Sequence, residues 1–235
     1  MKPRARQHGA ALLTMLLVAI VATAAVLLSA FSGSAVEQAR EQRSYALLAQ
    51  ASEALIGFAA THGRLPRPAR PGTAGHVEGG AGGDGRERPQ PCATEADCSG
   101  VLPWLDLGLP AADTWGHQLR YSVTPAFTAA PLARTAAIAT KRVLSRDANG
   151  ALFFVAGQES CSLAAQCAPA VLFSRGRGDA PGSQDETGNL QASVDFMRRP
   201  RSTEAAAAGG AFDDLLVTVP LHVLYERMAA AKTLP

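Results

Sequence analysis

The feature that most restricts this chain is a stretch without charge close to its start. From Ala10 to Phe31 the sequence reads AALLTMLLVAIVATAAVLLSAF. A helix of roughly 20 apolar residues crosses a hydrocarbon core, whereas the apolar part of a cleavable signal is usually ~7–15 residues. The preceding MKPRARQH carries Lys2, Arg4 and Arg6 with no acid to offset them. A basic flank stays on the cytoplasmic side, so the sequence predicts a single-pass inner-membrane protein with its head outside. The four cysteines agree with an oxidising compartment. A long signal peptide cut near Gly33 or Ala35 is the competing expectation.

The next segment, SGSAVEQAREQRSYALLAQASEALIGFAATHGRLPRP, predicts a second, amphipathic half of the same helix over 34–62. Apolar positions recur at Val36, Ala39, Tyr45, Leu48, Ala51, Leu55, Ile56 and Ala59, mostly in steps of three and four. Gly63 is a stop signal, and Pro66 and Pro68 prevent continuation. Together, 10–62 would form one helix roughly 80 Å long at about 1.5 Å per residue.

A basic leader ending in Gly9, directly before the apolar run, resembles the leader of type IV prepilins. The resemblance implies cleavage between Gly9 and Ala10 by a prepilin peptidase and N-methylation of Ala10. Four further stretches are similar to a group of pilin-like bacterial proteins. These are YALLAQASEALIGFAATHGRLPRP, GVLPWLDLGLPAADTWGHQLRYSV, AVLFSRGRG and FDDLLVTVPLHVLYERM. The chain departs from the family in having Ala10 after the cut and Thr14 where a glutamate is usual. The domain expectation is then a leader (1–9), a transmembrane or filament-core half-helix (10–33), an amphipathic half-helix (34–62) and a periplasmic head (63–235).

The head is expected to be α+β, with the long N-terminal helix packed on a small, mostly antiparallel sheet. Alternation at Leu119, Tyr121 and Val123 reads as a half-buried strand. ALFFVAG (151–157) and AVLFSRG (170–176) are nearly continuously apolar and read as central strands, DLLVTVP (214–220) as another. HVLYERMAAAK (222–232) reads as a closing helix with Leu224, Met228 and Ala231 on one face. The Gly- and Pro-rich 69–91 and the STEAAAAGGA segment (202–211) read as loops.

Cys92 with Cys98 and Cys161 with Cys167 each enclose five residues. Pairing within each loop is the simplest of three connectivities, and a four-cysteine zinc site is the alternative. His76, Glu78 and Asp84 match no metal-site spacing. Asp179, Asp185, Glu186 and Asn189 are oxygen ligands that a calcium ion could use, without the spacing of an EF-hand. Asp213 and Asp214 are expected to cap or flank a strand. His62, His117 and His222 are scattered, Ser174 lacks the flanking glycines of a nucleophile elbow, and no cofactor motif is present. The chain is therefore not expected to be an enzyme.

A net charge of +2 is no footprint for nucleic acid. Arg175, Arg177, Arg198, Arg199 and Arg201 are interleaved with acids, so DNA is not an expected partner. The expected partners are other pilin or pseudopilin subunits, the prepilin peptidase, the inner membrane and a secreted cargo. The function expected from the resemblance is a minor subunit of a type IV pilus or type II secretion pseudopilus. A bitopic or secreted periplasmic binding protein outside any filament is the alternative. In pilins the usual glutamate pairs with the N-terminal amine of a neighbouring subunit. Thr14 cannot do so, which points to a tip or initiating position.

Overall fold

A computed structural model describes the backbone of residues 7–71 and 83–234, and their side chains except at 7–12, 24–33 and 70–83. The chain divides into two units, Met1–Gln42 and Arg43–Pro235. Helix α1 (Gln7–His62) contributes to both.

In the first unit the described residues 13–23 lie on α1 with every side chain exposed. Leu13, Met15, Leu16, Leu17, Val18, Ile20 and Val21 are each 59–75% exposed. In the second unit α1 packs through Leu48, Ala51, Leu55, Ile56 and Ala59, all at most 2% exposed. These positions fall on one helical face, as the three-and-four spacing requires. The helix ends because Gly63 takes a left-handed conformation (φ 68°) and its N–H reaches the Ala59 carbonyl at 2.9 Å. Glycine adopts that conformation without a Cβ penalty.

The strands are β1 (Ala69–Pro71), β2 (Gly83–Glu87), β3 (Ser99–Val101), β4 (Arg120–Val123), β5 (Arg142–Arg146), β6 (Leu152–Ala156), β7 (Ala170–Ser174), β8 (Asp195–Met197) and β9 (Leu215–Thr218). They form a two-stranded sheet β1-β2, a four-stranded sheet β3-β4-β7-β9 and a three-stranded sheet β6-β5-β8. The four-stranded sheet is antiparallel throughout. Helix α2 (Gln184–Leu190) precedes β8, and α3 (Leu221–Ala230) closes the chain.

Strand β7 is buried at all five positions because it lies between two cores. Ala170 and Leu172 join Tyr121, Leu55, Leu224 and Met228 in the larger core. Val171 and Phe173 join Leu216, Val143 of β5 and Phe196 of β8 in the smaller one. A strand covered on both faces has no polar side, which explains its unbroken apolar sequence.

Several expectations are corrected. Among the described residues no helix is long and apolar enough to cross a membrane. The described apolar run, LTMLLVAIVAT at 13–23, covers about half of the ~20 residues a crossing needs, and α1 is polar again from Ser34. The expected membrane-spanning half-helix and the single-pass inner-membrane placement are therefore withdrawn. The expected fold of a long N-terminal helix, membrane-spanning in its first half and packed on the head in its second, is withdrawn with it. The buried stripe begins in the second unit, and Val36 and Tyr45 of the predicted stripe stay exposed. The head has three sheets rather than one, and β5 pairs with β8 in parallel. Finally, β6 is an edge strand exposed along Leu152–Val155, not a central one.

Candidate functional site

A cluster of three carboxylates lies where α2 and the approach to β9 meet. Ser183 starts α2 by accepting from the Glu186 N–H at 3.2 Å. Glu186 reaches back so that its Oε2 accepts from the Gly182 N–H at 2.6 Å. This reciprocal arrangement at Ser-x-x-Glu is close to a capping box. The other oxygen of Glu186 accepts from the Asp213 N–H at 2.8 Å, which ties α2 to the segment before β9.

Asn189, one turn further, has every polar atom in use. Its Nδ2 donates to the Met197 carbonyl at 3.0 Å and to Asp214 Oδ2 at 2.8 Å. Its Oδ1 accepts from the Met197 N–H at 2.6 Å. Asp213 Oδ2 accepts from the Arg177 N–H at 3.1 Å. Glu186, Asp213 and Asp214 each bring one carboxylate oxygen within 4.8 Å of the others.

Three carboxylates so close cannot all ionise without strong repulsion. Burial pushes Asp214 up to about 8, against the Asn189 hydrogen bond and with help from Glu186 and Asp213. Burial also raises Asp213, and the neighbouring Glu186 adds to the rise. The cluster thus keeps a proton near neutral pH. Chemically it is a proton-holding latch that joins α2, β8 and the start of β9.

Asp185 faces away from this cluster. Its carboxylate is clasped by Arg146 (Nη2 at 2.7 Å) and Arg199 (Nε at 2.9 Å). Arg199 also donates to the Gly210 carbonyl. Gly209 completes the clasp in a left-handed conformation (φ 85°), where a Cβ would lie 2.0 Å from Asp185 Oδ2. The 202–211 segment read as a low-complexity loop therefore supplies a required backbone shape.

The calcium candidates are consequently split among three environments. Asp179 is exposed beside His117 Nε2 at 3.2 Å, Asp185 is held by two arginines, and Glu186 and Asn189 belong to the latch. Asp213 and Asp214 stand directly before β9, as expected of strand-flanking residues, and their carboxylates also join the latch. Of the basic group, Arg199 is buried on Asp185, and Arg175 donates to the Asp179 carbonyl at 3.0 Å.

The cysteines close as Cys92–Cys98 and Cys161–Cys167. Each loop is then pinned. Glu95 in the first accepts from Thr140 at 2.8 Å and from Lys141 Nζ, a fully buried ammonium over the Phe196 ring. Burial lowers Lys141, and Glu95 opposes that fall. Gln166 in the second bonds Ala137 and Ala139 at 3.1 and 2.6 Å.

His117 Nδ1 donates to the Gly176 carbonyl at 3.0 Å with Nε2 facing Asp179 at 3.2 Å, while Ser174 donates to Asp113. Asp113 also accepts from the backbone of Trp115 and His117 at 2.9 Å. These residues shape the turn before β4, and the sequence offered no spacing that linked Asp113 to Ser174.

Thr14 lies on the exposed 13–23 stretch. Leader residues 1–6 and the loop with His76 and Glu78 fall outside the described residues; at Gly9 and Ala10 only the backbone is described. No protein-family description, curated protein or solved structure matches the chain.

Proposed function

We propose that this protein is a pilin-like minor subunit that assembles with other subunits through the apolar stretch of α1. The observation that carries the reading is the row from Leu13 to Val21, seven large apolar side chains each more than half exposed. A contiguous exposed apolar stretch marks an interaction surface, and burying a Leu or Val side chain is worth about 1.5–3 kcal/mol. Similar helices packed side by side cover such rows, with Ala19 and Ala22 allowing close approach.

Three further points support the reading. The leader-like Gly9–Ala10 junction would leave this stretch on the mature chain. The later part of α1 carries the head on a separate, buried stripe. Two disulfides suit a head that works in an oxidising compartment. The Thr14 substitution favours a tip or initiating position within this reading.

The test is incorporation. Leu17 is exposed, so Leu17→Lys leaves the head folded. Expressed in its own host, L17K should fall at least tenfold in the sheared filament fraction while its head keeps native protease resistance. Undiminished recovery of L17K with filaments would overturn the reading.

A further inference from the structure

Strand β6 has an unusual surface for a sheet edge. Leu152, Phe153, Phe154 and Val155 are 40–54% exposed, and no charge occurs from Ala151 to Gln158. β6 pairs with β5 on one side only. Among the described residues no strand pairs with its other side. Natural edges are usually guarded by lysine, proline or a covering loop, because unpaired N–H and C=O groups recruit another strand.

The register shows what fits there. Phe154 sits opposite Leu144 and Ala156 opposite Val143, so Val155 is bulged out of the ladder. Before the bulge, strand alternation puts Leu152 and Phe154 on the outer face and Phe153 on the inner one, so both faces of the edge are apolar. Of the cations on the outer face, Arg142 pairs with Asp195, and Arg146 shares Asp185 with Arg199. The edge Leu152–Val155 itself carries no charge, so a complementary segment is uncharged.

Size separates the occupants. The four exposed side chains offer about 300–400 Å² of apolar surface. A stable protein–protein interface uses ~800 Å² on each partner. A second copy joined edge to edge would fall short, and the bulge limits a long continuous ladder. A short extended segment needs less area, because its backbone hydrogen bonds supply the rest of the affinity.

We propose that β6 receives a short, extended, uncharged segment of another protein as a fourth strand of the β6-β5-β8 sheet. Backbone pairing along the edge would hold it, and Leu152, Phe153 and Phe154 would select apolar side chains. The proposal goes beyond filament assembly and does not depend on it.

The experiment is hydrogen exchange on the full-length protein with the synthetic peptide acetyl-Ser-Val-Tyr-Val-Phe-Val-Ser-amide as probe. The expected result is saturable slowing of exchange, at least tenfold, confined to 152–156. The same peptide N-methylated at alternate amides keeps its side chains but cannot pair as a strand, and it should give no slowing. A Leu152→Lys, Phe154→Lys double variant should lose the effect, and so should the single Phe154→Ser, since these side chains are exposed. No slowing at 152–156, equal slowing by the methylated peptide, or undiminished slowing in both variants would overturn the proposal.

Discussion

Asn189 Nδ2 lies 2.8 Å from Asp214 Oδ2, and this contact fastens α2 to the start of β9 inside the second unit. It is made to a carboxyl group that prefers its proton. Burial holds Asp214 at about 8, far above its ordinary value near 4. The folded state therefore binds a proton that the unfolded chain has released. Stability from this group is full below about pH 4 and is lost as pH rises through about 8.

The first prediction follows from that sign. Urea midpoints of the wild type should fall steadily from pH 5 to about pH 8 and level off above it. Asp214→Asn keeps an acceptor for Asn189 and cannot ionise. It should flatten that dependence and raise stability at pH 8.5 by on the order of 2 kcal/mol. Parallel pH profiles for wild type and variant would contradict the assignment.

Asp185 gives a second. Its removal leaves Arg199, whose side chain is 7% exposed, without its carboxylate. Asp185→Ala should cost about 3–5 kcal/mol, as breaking a buried ion pair does. Chemical denaturation measures it, and a loss below 1 kcal/mol would mean the clasp is not needed.

The Ala-rich segment yields a third. Gly209→Ala adds a Cβ against Asp185 at a left-handed backbone position. It should destabilise by about 2–4 kcal/mol. Gly188→Ala, where the added Cβ meets nothing within 4 Å, should change little or stabilise slightly. Equal denaturation midpoints for the two variants would refute the distinction.

A fourth concerns the disulfides. Cys92 and Cys98 are buried, whereas Cys161 is partly exposed. Limited reductant followed by alkylation should label Cys161 and Cys167 first. Loss of either small loop should lower stability by about 2 kcal/mol. Mass mapping of the labelled peptides gives the order, and simultaneous labelling of both pairs would contradict it.

Thr14 carries a fifth. If its lack of charge fixes a tip position, Thr14→Glu should move the chain into internal filament positions. Immunogold labelling would then shift from ends to flanks. Unchanged labelling would remove the argument from Thr14.

Part of the fold was legible because the pattern and the environment agree. The stripe Leu48–Ala59, the stop at Gly63, the doubly buried β7 and the Leu224–Met228 face of α3 follow from the sequence pattern, whereas Ala231, expected on that face, is exposed just past the helix. Strand β5 was not read, although RVLSR alternates strictly between outward Arg142, Leu144 and Arg146 and inward Val143 and Ser145. Its arginines look like loop residues until Asp185 and Asp195 are seen beside them. Strand β6 is the converse, an apolar run that sequence alone assigns to a core but that ends a sheet. Helix α2 was hidden in a polar, Gly-rich stretch, yet Ser183 and Glu186 have capping-box spacing that could have revealed it. The latch was not legible, because nothing local joins Glu186 to Asp213 and Asp214 across 27 positions. The apolar start of α1 suggested a membrane crossing, and its described length does not support one.

The central claim is that the mature protein keeps the apolar row of α1 in order to assemble. Intact mass and N-terminal sequencing of the protein from its native host test it most directly. The account predicts a chain that begins at N-methylated Ala10. A chain that begins near Val36 would lack Leu13–Val21 and contradict it, and one that retains Met1 would contradict the cleavage after Gly9.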